Sequence, residues 1–300
     1  MTGRAVVRAA GVLAAVSMAA AAGRPAGQKL VVPGIPVEIV ARSFQPGEVL
    51  LAQLADDPSV RRVVIRFLGQ SLTLEPAGPG GTPFGLFGLD LGLKPGTSTL
   101  TLKAEWKDGR VASSTQEVVL EPKEFPSTRL RVAPEMVTPP AEEAERIRRE
   151  QELVAEVLRL ASPDWLAEGG VVSPLGAFEP YPNFGQRRIF NDAAPSIHTG
   201  VDIGAPWGTP VKAPGAGRVV LASQLYVSGW TVIIDHGRGV FSYTCHYASI
   251  LVKRGDLVRK GQVIARVGTT GRSTGPHLHW SIRVGPNRVD PFSLVALPLD

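Results

Sequence analysis

His277-Leu-His-Trp-Ser-Ile-Arg-Val284, entered through Gly271-Arg-Ser-Thr-Gly-Pro276, decides both the fold and the chemistry expected of this chain. A run of aromatic and aliphatic residues after a Gly/Pro turn predicts a strand, and residues two apart in a strand share a face. His277 and His279 therefore project together, while Leu278 projects the other way. All five histidines of the chain (His198, His236, His246, His277 and His279) fall between His198 and His279. An HxH pair is weak by itself, and so is His198-Thr-Gly-Val-Asp202, because four residues in a loop fix no direction. Their coincidence with a carboxylate in one compact segment has the composition of a zinc site plus acid/base groups. Spacing alone does not choose between His277 and His279 as a ligand.

On either side of this stretch, from Phe184 onward, glycine and proline recur between β-rich runs such as Arg218 to Ala222, Thr231 to Asp235 and Val240 to His246. No amphipathic helix interrupts them, so residues 171–300 are expected to form an antiparallel β-sheet domain with a groove. Upstream, Pro139-Pro140 marks the start of a helix predicted to run to about Ala161, where Ser162-Pro163 stops it. Ala144, Ile147, Val154, Leu158 and Ala161 make its apolar stripe, which is expected to pack on a neighbouring domain. Residues 123–170 thus read as a linker with an amphipathic helix, Phe125 to Val137 being the linker proper. Residues 28–122 read as an Ig-like β-sandwich. Leu100, Leu102, Ala104 and Trp106 alternate with polar residues, and Asp108-Gly109 supplies a hairpin turn. The Gly/Pro tract from Pro76 to Gly88 is expected to be a loop. The fold class is mainly β.

With 300 residues the chain has room for two folded units. The net charge of +5 comes from the part after Val171, the rest being about neutral, and suits an anionic polymer: cell wall, nucleic acid or membrane surface. One cysteine, Cys245, excludes an intramolecular disulfide framework. The basic start Met1 to Arg8, the apolar Ala9 to Ala22 and the small residues Ala20-Ala21-Ala22 read as a signal peptide over residues 1–22. No later stretch is apolar enough to cross a bilayer.

Several motifs have a plainer meaning. Gly268-Thr-Thr-Gly-Arg-Ser-Thr-Gly275 lacks the Gly-Lys-Ser/Thr of a phosphate loop and is read as the turn that positions His277. His236, in Asp235-His-Gly-Arg-Gly239, reads as a structural turn histidine. Cys245 beside His246 raises a thiol-protease alternative. Strand alternation argues against it, since a cleft-facing His246 leaves Cys245 in the core. Arg187 and Arg188 are equally suited to lining a groove, where a guanidinium forks a carboxylate, and to plain surface charge.

The motifs His198-Thr-Gly-Val-Asp202, Cys245-His-Tyr-Ala-Ser249 and Gly271-Arg-Ser-Thr-Gly-Pro-His-Leu-His279 resemble those of the lysostaphin-type zinc metallopeptidases, family M23, the peptidoglycan endopeptidases that include LytM-like proteins. Phe184-Gly-Gln-Arg187, Gly208-Thr-Pro-Val211, Val252-Lys-Arg-Gly-Asp256 and Lys260-Gly-Gln-Val-Ile264 agree, so the resemblance covers about Phe184 to Pro291. The β-domain and helix before it are similar to the amino-terminal extension of some members. The resemblance implies that His198, Asp202 and His279 bind zinc and that His246 and His277 act unligated beside it. It also implies hydrolysis of peptidoglycan peptide stems after export across the inner membrane to the periplasm or cell envelope. Tyr247, Ala265 and Ser281 depart from common family residues, and none of these departures removes a ligand. A non-hydrolytic wall-binding regulator or activator is the alternative. Nucleic-acid binding is opposed by export and by the lack of an aromatic-basic pattern. A regulatory cell-envelope protein stays a candidate partner, and the sequence leaves the oligomeric state open.

Overall fold

Along Gly96–Trp106, Leu100, Leu102 and Ala104 are buried, whereas Thr99, Thr101 and Lys103 are exposed. This period of two identifies a strand with one face in a core. The computed structural model describes residues 7–8, 17–19, 27–76, 83–176, 183–193 and 195–299. Gly96–Trp106 pairs antiparallel with Val111–Leu120, and Gly109 takes a φ of 88° in the Asp108-Gly109 turn. The Asp108 carboxylate accepts the Arg110 N–H there. Val60–Phe67 and Gln70–Leu74 continue this sheet. A second sheet contains Gly27–Val31, Val37–Ala41, Val49–Leu54 and Phe84–Gly88 in that order. Ile39 and Phe87 of the second sheet share one apolar core with Ile65 and Leu102 of the first. The expected β-sandwich is thus present, in the first of two compact units, Met1–Lys123 and Glu124–Asp300.

The expected loop from Pro76 to Gly88 is corrected in part. Residues 77–82 lie outside the described residues, but Phe84–Gly88 is a strand whose Phe87 pairs with Leu50. Gly85 allows a close approach there, since a Cβ would come within 2.8 Å of the Leu72 side chain. The signal-peptide expectation falls, apart from Val7–Arg8 and Ser17–Ala19, outside the described residues.

In the second unit the central antiparallel sheet runs Val201–Gly204, His277–Val284, Val240–Ile250, Gly229–Gly237, Gly217–Leu225, Leu257–Val258. Within the stretch read as a linker, Ser127–Leu130 forms a strand parallel to Arg187–Phe190. The helix spans Ala141–Val157 and begins after Pro140, as the sequence indicates. It ends one turn before Ala161, because Asp235 Oδ2 accepts both the N–H and the hydroxyl of Ser162 and draws the chain onto the sheet. Val154, Val157 and Leu158 pack on Leu221, Leu225, Ile233 and Phe241, so the expected stripe is covered only at its C-terminal end; Ala144 and Ala161 are exposed, and Val157 is the residue the helix buries. Glu150 fixes the helix further by accepting the Tyr226 N–H at 2.7 Å. Among the described residues no helix is long and apolar enough to cross a membrane.

Candidate metal centre

Val201–Gly204 lies antiparallel to His277–Val284, with Asp202 directly opposite His279. Gly200 makes that approach close: a Cβ there would sit 2.5 Å from the Trp280 carbonyl oxygen and 2.9 Å from His279 Cε1. His198 is tied by its main chain to Gly185 and Gln186. Its ring is turned by Nδ1, which lies 2.7 Å from the Asn183 carbonyl oxygen. The same Nδ1 lies 3.0 Å from the Arg188 guanidinium. Nε2 lies 3.0 Å from Asp202 Oδ1, and His279 Nδ1 lies 2.9 Å from the same oxygen. The two ring nitrogens are 3.0 Å apart. One donor atom each from His198, Asp202 and His279 thus falls within 4.8 Å of the others. Two imidazole nitrogens and one carboxylate oxygen converging on one point are the donor chemistry of a catalytic zinc site with an open position. His277, two residues earlier, faces Gly204, and its Nε2 is 3.8 Å from Asp202 Oδ1.

Burial pushes the Asp202 carboxyl up, but hydrogen bonds from His198 and His279 outweigh it and hold the group well below the usual carboxylate range. Burial also lowers His279, against the pull of Asp202. Both shifts keep the donors in the states a cation requires, carboxylate and neutral imidazole. Around them stands a supporting layer. The Asn183 side chain accepts the Asp202 N–H and donates to the Asp202 carbonyl, each at 3.0 Å. Arg188 reaches the outer oxygen, Oδ2, at 2.7 Å. Of the two arginines weighed from the sequence, Arg188 is therefore at the site, while Arg187 is exposed. Nothing in the sequence singles out Asn183, because its contacts form only when the 183–188 segment folds over Asp202.

His246 and His277 stand beside this cluster with ring centroids 4.8 Å apart. Nδ1 of His246 donates to the Thr270 carbonyl and Nδ1 of His277 to the Gly275 carbonyl, each at 2.8 Å. Both rings are thereby left with Nε2 as the free acceptor. Burial, with the His279 and His277 rings adding to it, pushes His246 down to about 3.

The expectation for Cys245 is corrected in its geometry. His246 has a φ of 67°, which breaks the strand alternation, so Cys245 and His246 border the same cavity. A positive φ at a histidine is a strained conformation of the kind held at functional sites. The thiol is nonetheless buried, and burial raises it well above its ordinary value, which opposes a nucleophilic thiolate.

His236 is structural, at the end of the Gly229–Gly237 strand rather than in the turn. Nδ1 donates to the Ala216 carbonyl, and Nε2 meets the Ser242 hydroxyl at 2.8 Å. Burial lowers it from 6.5 to about 4. Between these values the unfolded chain binds a proton that the folded chain refuses. Stability from this residue is therefore complete above about pH 6.5 and falls as pH drops, by about 3 kcal/mol once pH reaches 4. Urea unfolding at pH 7.5 and 4.5 checks this. The drop should shrink in a His236→Gln variant, and an equal drop in both proteins would count against it.

Residues 196–291 match the family model described as Peptidase family M23. Among curated relatives, the DD-carboxypeptidase/endopeptidase Mpg of Neisseria meningitidis is 44% identical over 102 residues, 34% of this chain and 23% of the relative. Peptidoglycan DD-endopeptidase ShyA of Vibrio cholerae is 40% identical over 120 residues, 36% of this chain and 27% of the relative. The chain spans about a quarter of the length of these two proteins. A crystal structure from Pseudomonas aeruginosa assigned to peptidase M23 superposes with a TM-score of 0.61 at 28% identity. That likeness covers 85% of this chain and 96% of the other, so it takes in the sandwich unit as well. These likenesses meet in residues 196–291, over which this chain is similar to peptidase family M23.

Proposed function

We propose that the protein is an exported zinc metalloendopeptidase that hydrolyses peptide cross-links of peptidoglycan. The convergence of one donor atom each from His198, Asp202 and His279 carries the proposal, with two unligated histidines beside them. The two relatives, named as peptidoglycan DD-endopeptidase and DD-carboxypeptidase/endopeptidase, support the substrate. Zinc held by these three residues supplies Lewis acidity to a scissile carbonyl and lowers the pKa of water toward about 7. His246 and His277 each keep Nε2 free to take a proton, and a ring that has gained one returns it to the leaving amine. Asn183 and Arg188 hold Asp202 in place, leaving Oδ1 for the cation and Oδ2 for the guanidinium.

In this reading residues 1–22 direct export to the periplasm or cell envelope, 28–122 form the sandwich domain, 123–170 brace the groove, and 171–300 form the peptidase domain. The regulator alternative has less support, because a wall-binding activator has no need of two histidines with their Nδ1 protons both committed to carbonyls. Purified peptidoglycan incubated with the protein should release new amino termini. Release should stop with a zinc chelator and return with added zinc. Zinc-loaded protein that releases none would overturn the enzymatic reading in favour of the regulator.

A further inference from the structure

A cavity of about 260 Å³ adjoins the metal centre, bordered by His198, His246 and His279. The guanidinium-bearing residues Arg188, Arg272 and Arg283 also line it, and no Asp or Glu does. Arg188 is ion-paired with Asp202. Arg272 has no carboxylate partner among the described residues. Its guanidinium lies 4.5 Å from the centre of the Phe190 ring. Burial and the neighbouring Arg188 lower its pKa, the mark of a cation lacking a counter-charge. Withdrawing a guanidinium from water is costly unless an anion and hydrogen bonds replace the water. The aromatic stack covers a face and leaves the N–H edge, which suits the two oxygens of a carboxylate.

The position of Arg272 is fixed relative to the chemistry. Its N–H donates to the Val227 carbonyl at 2.7 Å. Gly271, with a φ of 73°, lets the loop lie where a Cβ would come within 2.4 Å of the Gly229 nitrogen. Two residues earlier, the Thr270 carbonyl orients His246. One rigid loop therefore sets both the histidine and the guanidinium.

We propose that Arg272 binds a carboxylate on the substrate residue adjoining the cut bond, and so selects peptides whose leaving amine belongs to an amino acid with a free α-carboxylate. This rests on the peptidase reading of the neighbouring centre. Hydrolysis adds one water across the C–N bond: hydroxyl goes to the acyl carbon, and a proton goes to the departing nitrogen. In a carboxypeptidase reaction that nitrogen belongs, by definition, to a residue bearing a carboxylate. A D-Ala cross-link to the amine of a diamino acid with a free carboxyl has the same feature. An internal glycine bridge lacks it.

The test uses the full chain and N-acetyl-D-Ala-D-Ala, with its C-terminal amide as the control. Binding to metal-free protein is followed by NMR titration. The acid should bind about 10- to 100-fold more tightly than the amide, as expected for losing a charge-assisted pair. Arg272→Ala should abolish the difference, and Arg272→Lys should restore part of it. Equal binding of acid and amide by the wild-type protein would overturn the proposal and needs no variant to fold. Cleavage of acid and amide peptides at equal rates by zinc-loaded enzyme would also overturn it, while leaving the peptidase reading intact. Carboxylate-dependent binding without any cleavage would support the anion site and count against the peptidase reading instead.

Discussion

His279→Ala is expected to lose zinc and fall to the activity of chelated protein, whereas His277→Ala keeps most of the metal and loses about 10²- to 10⁴-fold in rate. The two histidines share a strand face, so composition and exposure do not separate them; their register against Val201–Gly204 does. His279 faces Asp202 and brings Nδ1 to 2.9 Å from Oδ1, while His277 faces Gly204 and directs its own Nδ1 to the Gly275 carbonyl. Removing His279 leaves two of three donors and a buried carboxylate that has lost a hydrogen bond. Removing His277 takes away a proton carrier but no donor of the converging set. Metal analysis of the purified variants beside wall-digestion assays checks both halves. Equal zinc loss in the two variants would contradict this division of roles.

Gly200→Ala should be nearly as damaging, although it adds one methyl group and removes no reactive atom. That methyl would stand 2.5 Å from the Trp280 carbonyl oxygen and 2.7 Å from Ser281 Cβ, so the strand carrying Asp202 must lift away from the strand carrying His279. Overpacking of this kind costs about 1–3 kcal/mol. The displacement should also weaken zinc binding by about 10- to 100-fold, as for the loss of an outer hydrogen-bond partner of a metal ligand. Urea unfolding and zinc titration of the variant measure the two effects. Wild-type zinc affinity in a folded Gly200→Ala protein would show that the close approach does not position the donors.

Much of this was legible where one face of an element is polar. Gly96–Trp106 declares itself by alternation, and His277 and His279 by a spacing of two in a strand. Phe84–Gly88 does not, because its last four residues are all buried and two of them are glycine, leaving no polar face to mark the period. Ser127–Leu130 is four residues long, largely polar, and exists through its parallel partner Arg187–Phe190, which the local sequence does not announce. The end of the helix depends on Asp235, 73 positions away from the serine it captures.

At the site, residue types and spacing assembled the five polar residues, but two features depended on backbone geometry. The left-handed φ of His246 places Cys245 beside it, which alternation forbids. The pairing of Arg187 with Ile197 leaves Arg187 exposed, while Arg188 turns to Asp202.

The most direct measurement is anomalous diffraction at the zinc edge from crystals of the zinc-loaded protein. One peak is predicted, about 2.0–2.2 Å from His198 Nε2, Asp202 Oδ1 and His279 Nδ1 together. A peak bound instead through His246 or His277, or no peak from protein that still digests peptidoglycan, would contradict the assignment of this centre.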